Sequence, residues 1–424
     1  MTDRVGIWGF GREGAAAWRW VTATAPDVAV VVADDDPARV HETAPDVEVA
    51  GVEALLSCAT VWVSPGIRPN DPRREPLLAA GVSLRTGTDE FLARAGGRTV
   101  GVTGTKGKST TSSFVRDLLV AGGTPAELAG NIGRPLLDLL DPATGAPRND
   151  QAVFVTELSS YQCSALEHSP RVAVMTQLYD DHLAEHGNRH EYWTAKARIF
   201  ARGAQTLVAL PETVEKLRTV AAAAVDAVPE LVTPADLAPL TVTLPRHVAD
   251  NLRVAVAGAG ALQGAPVAPD VVDAVARAYT PLPHRQVVVA DTLGVTWVDD
   301  ALATTQESVL AALEAFPRAR IALLLGGKDR GQPVDRLGVV LRERHTEVLL
   351  VGETAERFGW QLSPWNVDTV PVGTVEAGVA WVAEHRLDVD VCLLSPGAAS
   401  YDQFRDHTAK GAAFAAAVAA VGRS

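Results

Sequence analysis

A glycine-rich segment carrying lysines and hydroxyl side chains lies between a strand-like run, Thr99–Thr103, and a helix-like stretch. It reads Gly104-Thr105-Lys106-Gly107-Lys108-Ser109-Thr110. Backbone N–H groups at such a turn can bind the phosphates of a nucleoside triphosphate; Lys108 can neutralise their charge, and the Ser109 hydroxyl can ligate Mg²⁺. Val102 occupies the position where the usual six-residue spacing requires glycine, so we predict a variant phosphate loop.

Acidic and imidazole side chains follow two further strand-like runs. Glu157 comes directly after Ala152–Thr156, and His182 follows Val172–Thr176. Open α/β sheets bind ligands beyond the carboxyl ends of their strands, and a shell of one carboxylate and one imidazole leaves Mg²⁺ open to phosphates and water. The nearby side chains Asp180, Asp181 and His186 are further candidates, although Asp180 and His186 could equally be solvated loop residues.

A second glycine cluster lies near the N-terminus. Gly9-Phe10-Gly11-Arg12-Glu13-Gly14 follows the run Val5–Trp8, and Asp34 comes about 20 residues later. This spacing matches a dinucleotide-binding turn, in which glycines let the backbone approach the phosphates. The pattern does not distinguish NAD from a UDP-sugar, and a plain tight turn without a ligand also remains open.

Short β-branched runs alternate with Ala- and Leu-rich helical stretches along the whole chain, which favours α/β architecture with parallel sheets. Beyond the four runs named above, the candidate strands are Val28–Val32, Thr60–Val63, Thr206–Leu210, Gln286–Ala290, Ile321–Leu325, Glu347–Val351 and Val391–Leu394.

Two segments indicate domain boundaries: a Gly-Gly pair at residues 96–97, and the proline-rich stretch 279–285. We therefore predict three domains, at residues 1–96, 97–282 and 283–424.

Composition restricts the function further. The chain has 424 residues, with 38 Lys and Arg against 51 Asp and Glu, a net charge of −13 that argues against nucleic-acid binding. The apolar run Ala412–Val421 is much shorter than the roughly 20 residues that span a bilayer. Three scattered cysteines predict buried thiols in a reducing compartment, so we expect a cytoplasmic protein with no membrane partner, disulfide framework or zinc cluster.

In these residues the chain resembles the Mur ligases, which are ATP-dependent amide ligases of peptidoglycan synthesis. Besides the phosphate loop, the motifs that carry the resemblance are Gly130-Asn131-Ile132-Gly133, Glu157-Leu158-Ser159-Ser160-Tyr161-Gln162, Asp181-His182-x-x-x-His186-Gly187, Ala195-Lys196-x-Arg198-Ile199, Pro283-His284-Arg285, Asp299-Asp300-x-x-Ala303-Thr304, Leu325-Gly326-Gly327-Lys328-Asp329-Arg330-Gly331 and Leu394-Ser395-Pro396-Gly397-Ala398-Ala399-Ser400. They extend over essentially the whole chain.

The resemblance implies a Rossmann-like N-terminal domain for the UDP part of the substrate, a central P-loop ATPase-like domain, and a Rossmann-like C-terminal domain for glutamate. It implies catalytic roles for Lys108, His182 and Lys196. Nucleotide contacts are implied for Gly104–Thr110, Asn251, Arg285 and Asp300, and two Mg²⁺ sites for Ser109, Glu157, His182 and a carbamylated Lys196. Without the resemblance, Lys196 would be read as a surface lysine. Substrate contacts are implied for Gly11, Arg12, Asn131, Gln162, Thr304, Arg330, Ser400 and His407.

The nearest subgroup adds glutamate to UDP-N-acetylmuramoyl-L-alanine, through an acyl phosphate and, as the family implies, as a monomer. Enzymes that add D-glutamate carry a lysine where this chain has Leu302 and a phenylalanine where it has His407. We therefore expect L-glutamate as the substrate, with D-glutamate as the alternative. An NAD-dependent dehydrogenase, a non-catalytic nucleotide-binding regulator and a folate-extending ligase are the competing classes.

Overall fold

The computed structural model describes residues 4–180, 183–281, 283–344 and 346–422. The chain divides into two compact units, residues 1–278 and 279–424. The first unit contains a five-stranded and a six-stranded sheet, and the second unit contains another six-stranded sheet. No helix in the described ranges is long and apolar enough to cross a membrane.

The five-stranded sheet is wholly parallel, in the order β3-β2-β1-β4-β5. Its strands are β1 Arg4–Trp8, β2 Ala29–Ala33, β3 Glu48–Ala50, β4 Thr60–Val63 and β5 Ser83–Arg85. The accompanying helices are α1 Arg12–Thr24, α2 Pro37–Thr43, α3 Arg74–Ala79 and α4 Gly87–Ala95. Strand β1 lies at the centre of the sheet, so the Gly9–Gly14 turn begins at the middle of its carboxyl edge.

The second sheet is also parallel, in the order β11-β10-β9-β6-β8-β7. Its strands are β6 Thr99–Thr103, β7 Ala126–Gly130, β8 Val153–Glu157, β9 Val172–Met175, β10 Thr206–Ala209 and β11 Glu230–Val232. The helices are α5 Lys108–Ala121, α6 Ser160–Ser164, α7 Leu183–His186, α8 Arg189–Ala201, α9 Pro211–Ala227, α10 Arg246–Gln263 and α11 Pro269–Ala278. One hydrophobic core joins this sheet to the first, with Phe91 packed edge-on against Phe154.

The sheet of the second unit has the order β12-β13-β17-β14-β15-β16. It is parallel except for β12, which pairs with β13 as an antiparallel hairpin. The strands are β12 Val287–Thr292, β13 Val295–Asp299, β14 Ile321–Leu325, β15 Glu347–Val351, β16 Thr369–Gly373 and β17 Val391–Leu394. The helices are α12 Gln306–Glu314, α13 Asp335–Glu343, α14 Ala355–Leu362, α15 Val375–Glu384 and α16 His407–Val421.

Several helices begin where the sequence supplies a capping side chain. The side chains of Asn188, Thr305 and Asp406 accept hydrogen bonds from N–H groups in the first turns of α8, α12 and α16. At α6, Ser159 and Gln162 form a reciprocal capping box. These caps fix the helices that directly follow the loops of the candidate site.

The predicted α/β fold is confirmed, and every predicted strand is present within two residues at either end. The prediction missed β3, β5, β7, β11, β13 and β16. Three of these strands are only three residues long and mostly face solvent, so they lack a continuous apolar run. The sheets fall within the three predicted domains, whose boundaries stay a prediction.

Candidate active site

The carboxyl ends of four neighbouring strands assemble the central site. Strands β9, β6, β8 and β7 are adjacent and parallel, so the segments that follow them leave the sheet at one edge. These segments begin after Met175, Thr103, Glu157 and Gly130. The phosphate loop, the Glu157 carboxylate and Asn131 therefore lie at the edge where the sequence predicts the nucleotide site.

The phosphate loop has the tight geometry that its glycines allow. Gly104 and Gly107 have φ values of +150° and +85°. A Cβ on Gly104 would lie 1.9 Å from Thr176 Oγ1, and one on Gly107 would lie 2.3 Å from Asn251 Oδ1. Gly107 is the N-cap of α5 and supplies no side-chain cap, so the first turn offers N–H groups to an anion.

Two lysine ammonium groups meet at one carbonyl of this loop. Lys108 Nζ donates to Gly104 O and Thr105 O, both at 3.1 Å. Lys196 Nζ donates to Gly104 O at 2.7 Å and lies 4.8 Å from the centre of the Tyr192 ring. Lys196 is 1% exposed, so its reading as a surface lysine is wrong. The site therefore concentrates positive charge where phosphates are predicted to bind.

Hydroxyl groups brace the same loop. Tyr192 Oη donates to Thr105 Oγ1 at 3.2 Å, and Thr105 Oγ1 in turn accepts from Tyr179 N at 3.0 Å. Thr176 Oγ1 donates to Lys106 O at 2.5 Å. Ser109 is half-buried in the first turn of α5, and Thr110 is buried. These contacts hold the backbone of the loop in place without using its N–H groups at the helix start.

The Glu157 carboxylate suits a cation. It is 1% exposed, and its Oε1 accepts from Asn131 Nδ2 at 2.7 Å. Its Oε2 is buried without a hydrogen-bond partner among the described residues. A buried carboxylate oxygen with no donor is costly unless a cation or proton satisfies it, and oxygen is the ligand Mg²⁺ prefers.

Besides Glu157 and Ser109, the predicted metal ligands are His182 and Lys196. His182 lies outside the described residues. The Lys196 side chain is a cationic ammonium group, and it can ligate a metal ion only after a modification that reverses its charge. Leaving out the undescribed positions, no cluster of three His, Cys, Asp or Glu side chains has metal-binding geometry. Among the described side chains, the Glu157 carboxylate, with its buried oxygen, fits such a sparse Mg²⁺ shell.

His186 and Asp180 have local partners instead. His186 is buried, with Nε2 3.0 Å from Ser160 Oγ and its ring packed between Tyr161 and Tyr192. The Asp180 carboxylate pairs with Arg189 on α8. The interpretation of His186 as a solvated loop residue is wrong, because its ring helps to hold α6 against α8.

The N-terminal glycine cluster, Gly9–Gly14, borders a cavity of about 400 Å³. Gly11, Arg12, Asn131 and Gln162, all predicted to contact substrate, line it. The lining also includes Glu13; burial raises the pKa of its carboxyl to about 7, although neighbouring Arg12 acts in the opposite direction.

The Asp34 carboxylate forms its hydrogen bonds with other groups of the protein. It accepts hydrogen bonds from the N–H groups of Phe10 and Asp36 and from the Arg39 guanidinium. Burial would raise the pKa of Asp34, but these donors together lower it. An NAD-binding turn uses this acidic residue to hold the ribose, so its internal pairing speaks against the dehydrogenase interpretation.

A chain of polar contacts connects this cavity to the central site. Arg12 donates to Gly133 O at 2.9 Å and to Asn131 O at 3.3 Å. Asn131 donates in turn to the Glu157 carboxylate. Residues that the sequence predicts for the sugar nucleotide and for the metal are therefore in direct contact, while Gln162 is fixed by its capping box and by a bond to Thr88.

In the second unit, the strand ends of β13, β17 and β14 are adjacent and bring together the loops that begin at Asp300, Ser395 and Gly326. Asp300 is buried and accepts from Ser395 Oγ at 2.7 Å. Burial raises the pKa of Asp300 to about 7, partly opposed by that bond and by the Arg285 charge. Arg285 Nε is buried without a partner in the described chain, so this predicted nucleotide contact has an unused hydrogen-bond donor.

The residues predicted for glutamate lie on these same loops. The Arg330 guanidinium lies 5.4 Å from the centre of the exposed Tyr401 ring, beside Ser400, whose buried Oγ has no partner among the described residues. His407 packs against His284, and burial and that neighbour lower the pKa of His407. Thr304 is half-buried directly before the cap of α12.

Comparison with known proteins agrees with this geometry. The Mur ligase middle domain matches residues 102–228. A UDP-N-acetylmuramoyl-L-alanine–L-glutamate ligase of a Micromonospora species is 36% identical, over 98% of this chain and 96% of the relative. The chain belongs to the Mur ligase family. It is accordingly an ATP-dependent ligase.

Other Mur ligases extend the comparison. A UDP-N-acetylmuramoylalanine–D-glutamate ligase of Ruegeria pomeroyi is 30% identical, over 98% of this chain and 96% of the relative. The MurF ligase of Thermotoga maritima, solved with ADP, has a TM-score of 0.55 at 15% identity, over 92% of this chain and 93% of that chain. The solved structure supports the fold, and the relatives include enzymes named for either glutamate enantiomer.

Sequence reasoning missed several residues of this Mur ligase site. Thr176 and Tyr192 brace the phosphate loop, and a single strand-end hydroxyl or helical tyrosine gives no signal of such a role. Lys410 on α16 is fully buried although its sequence context is an alanine-rich helix. Lys328, from the motif Leu325–Gly331, pairs with Glu353 at 2.7 Å.

Proposed function

We propose that this Mur ligase joins L-glutamate to UDP-N-acetylmuramoyl-L-alanine and converts ATP to ADP and phosphate. The observation that carries most weight is the phosphate loop, where Lys108 and Lys196 both reach Gly104 O beside an uncapped helix N-terminus. The Glu157 oxygen without a partner, on the neighbouring strand end, adds a place for a cation. Relatives at 30–36% identity over nearly the whole chain are named as ligases of UDP-N-acetylmuramoylalanine with glutamate, one with the L and one with the D enantiomer.

The proposed chemistry runs in two steps. The L-alanine carboxylate of the acceptor attacks the γ-phosphorus of ATP, so that ADP leaves and an acyl phosphate forms. The neutral amine of glutamate then attacks the acyl carbon, and the tetrahedral intermediate expels phosphate as the amide forms. Charge neutralisation by Lys108 and alignment of the reactants supply most of the catalysis in such a reaction.

Each predicted residue has a proposed task in this scheme. The helix α5 N–H groups, Lys108 and the Ser109 and Thr110 hydroxyls would bind the ATP phosphates, while Asn251, Arg285 and Asp300 would contact the nucleoside. Glu157, Ser109 and His182 would hold two Mg²⁺ ions together with a carbamylated Lys196. When bound, Mg²⁺ neutralises phosphate charge. Carbamylation would give the buried Lys196 side chain an anionic carboxylate oxygen as a metal ligand, while its Nζ would keep one N–H for the carbonyl of Gly104.

The sugar nucleotide is assigned to the cavity beside Gly9–Gly14. Backbone N–H groups at the start of α1 and the Arg12 guanidinium would bind its diphosphate, and Asn131 and Gln162 also line the cavity. Because Asn131 also contacts Glu157, this placement directs the acceptor's L-alanine end toward the metal site. We further propose that the enzyme acts as a cytoplasmic monomer.

Residues of the second unit support the choice of L-glutamate as the substrate. Leu302 stands where D-glutamate enzymes carry a lysine, and a dicarboxylate in a desolvated pocket requires cations. Arg330, beside Tyr401, and the buried Ser400 hydroxyl are the groups proposed to bind its carboxylates, with His407 close to the entrance of α16. The alternative is the same ligation with D-glutamate.

The deciding experiment measures ADP release by the purified protein with Mg²⁺, ATP, UDP-N-acetylmuramoyl-L-alanine and each glutamate enantiomer. We expect release only when all substrates are present, faster turnover with L-glutamate, and a product heavier by one glutamyl residue in the mass spectrum. Omission of each substrate in turn is the control. Faster turnover with D-glutamate would overturn the stereochemical assignment, and no release with either enantiomer would overturn the function.

A further inference from the structure

Lys410 is a buried lysine that the proposed chemistry leaves without a task. It lies on α16, is 1% exposed, and its Nζ donates to Gly326 O at 3.0 Å. The Phe404 ring centre lies 5.9 Å from this Nζ. The ammonium is therefore enclosed between the loop that follows β14 and the segment that follows β17.

The charge of Lys410 is poorly compensated. Within the described residues no carboxylate lies within 4.0 Å of its Nζ. Burial lowers the pKa of Lys410 to about 8, and the more distant Asp402 partly opposes that shift. Taking an ammonium out of water costs free energy, so a methionine or leucine would fill this space at a lower cost to folding.

The two segments that enclose Lys410 are those that carry the proposed glutamate contacts. Gly326 N donates to Pro396 O at 2.8 Å, and Lys328 N donates to Ala399 O at 2.7 Å. Arg330 follows on the first segment and Ser400 on the second. The Lys410 ammonium donates to Gly326 O of the first segment and lies over the Phe404 ring of the second, so it connects α16 to both.

We propose that Lys410 is a positioning residue for the amino-acid substrate, because it holds the Gly326–Gly331 loop against the segment around Ser400. This inference rests on the proposed function. An ammonium bonds a carbonyl more strongly than a neutral donor does, and its field also favours a carboxylate brought into a low-dielectric pocket. Lys410 does not touch the substrate and acts through Arg330 and Ser400.

The charged groups facing Lys410 define its expected pH response. Among the described charged groups, Asp402 of the segment after β17 acts on Lys410. Lys328 of the loop after β14 pairs with Glu353, and His407, three residues earlier on α16, packs against His284. Because the ammonium is lost as the pH rises through about 8, the KM for glutamate should rise above that pH. An arginine at this position stays charged, so its KM should not share the rise.

The test compares Lys410→Met, Lys410→Arg and Lys216→Met in steady-state kinetics. Lys216 is the matched control, since its Nζ also donates to a carbonyl, Leu178 O, and lies 4.9 Å from an aromatic ring. Losing a charge-assisted hydrogen bond at a buried site corresponds to roughly 10- to 100-fold in binding. We expect that rise in the glutamate KM for Lys410→Met, with the ATP and UDP-substrate KM values within about twofold, and no change for Lys216→Met.

The pH profile separates positioning from a purely structural role. Wild type should show a glutamate KM that rises above about pH 8 relative to Lys410→Arg, and Asp402→Asn should move the rise to lower pH. The Arg variant also corrects for titration of the glutamate amine. If Lys410→Met does not fold, these two variants decide the question.

The outcomes distinguish this inference from the function on which it rests. A wild-type enzyme that forms no ADP overturns the proposed function. An active wild type with unchanged glutamate KM in Lys410→Met, or with the same pH profile in wild type and Lys410→Arg, overturns the positioning role.

Discussion

Lys196 in the first unit and Lys410 in the second make closely similar direct contacts. Each is 1% exposed, each donates to a glycine carbonyl in a loop after a central parallel strand, and each lies over an aromatic ring. The accepting glycines, Gly104 and Gly326, both have positive φ. The difference is in what surrounds them: Lys196 lies beside a second lysine and a phosphate loop, whereas Lys410 lies between loops proposed to bind carboxylates.

A buried lysine that donates to a glycine carbonyl can therefore have either of two electrostatic roles, as the precursor of an anion or as a cation. Near phosphates and a cation site, Lys196 is useful if it becomes an anion. Near carboxylates, Lys410 is useful only as a cation. The same local geometry therefore predicts different chemical rescue, different pH dependence and different tolerance to substitution.

The largest expected effect is on Lys196. Lys196→Ala removes the proposed metal-ligand precursor, and we expect turnover to fall by on the order of 10²- to 10³-fold. Short carboxylic acids added to the assay should restore part of that activity, since they can supply the missing anionic oxygen. ADP release with and without acetate measures both effects.

Lys410→Ala is the matched control for this rescue, because the side chain proposed to be lost there is a cation. Acetate should not restore its glutamate KM. Equal rescue of both variants, or of neither, would contradict the contrast between the two lysines.

The two accepting glycines should also differ. A Cβ on Gly326 would lie 2.0 Å from Val351 O, a backbone atom, whereas on Gly104 it would lie 1.9 Å from the Thr176 hydroxyl. Because a side chain can rotate and a strand carbonyl cannot, we expect Gly326→Ala to lower the free energy of unfolding by about 3 kcal/mol, and Gly104→Ala by less. Urea denaturation compares them, and the double variant Gly104→Ala, Thr176→Ala should recover stability.

The sequence predicts the central strands of the sheets better than the edge strands. Strands Thr99–Thr103 and Ile321–Leu325 match their predicted bounds, because a strand covered on both faces is a continuous run of β-branched and apolar residues without charged side chains. Edge strands such as Glu48–Ala50 carry no such constraint. Their positions are fixed by pairing with a distant neighbour, which a local pattern does not record.

The same limit explains the candidate site. Lys196 could be singled out only through a family motif, and Lys410 not at all, because an isolated lysine in a helix reads as exposed until the packing partner is known. The bond from Asn131 to Glu157 joins residues 26 positions apart, and only the sheet order β6-β8-β7 brings them together. Local spacing predicts loops, whereas tertiary pairing decides which side chains become partners.

Asp300 extends the comparison to a buried acid. Its folded-state pKa is about 7 against an ordinary value of 3.8, so the native state holds a proton that the unfolded state releases. Stability from this group is therefore complete below pH 4 and is lost as the pH rises to about 7. Asp300→Asn should raise the free energy of unfolding at pH 8 by on the order of 2 kcal/mol and change it little at pH 4. Thermal denaturation at both pH values measures this, and an equal change at both would exclude titration of Asp300 as the cause.

The smallest expected effect concerns Glu13, the acid in the N-terminal cavity. Burial raises the pKa of its carboxyl to about 7, and it lies in the first turn of α1, where the substrate diphosphate is proposed to bind. A neutral Glu13 tolerates that anion and an ionised Glu13 repels it, so affinity for UDP-N-acetylmuramoyl-L-alanine should fall a few-fold between pH 6 and pH 8.5, about 1 kcal/mol. Glu13→Gln should abolish this dependence, whereas Glu42→Gln at an exposed position on α2 should retain it. Calorimetric titration is decisive because the diphosphate diester does not itself titrate in this range. A slope that persists in Glu13→Gln would show that another group is responsible for the pH dependence.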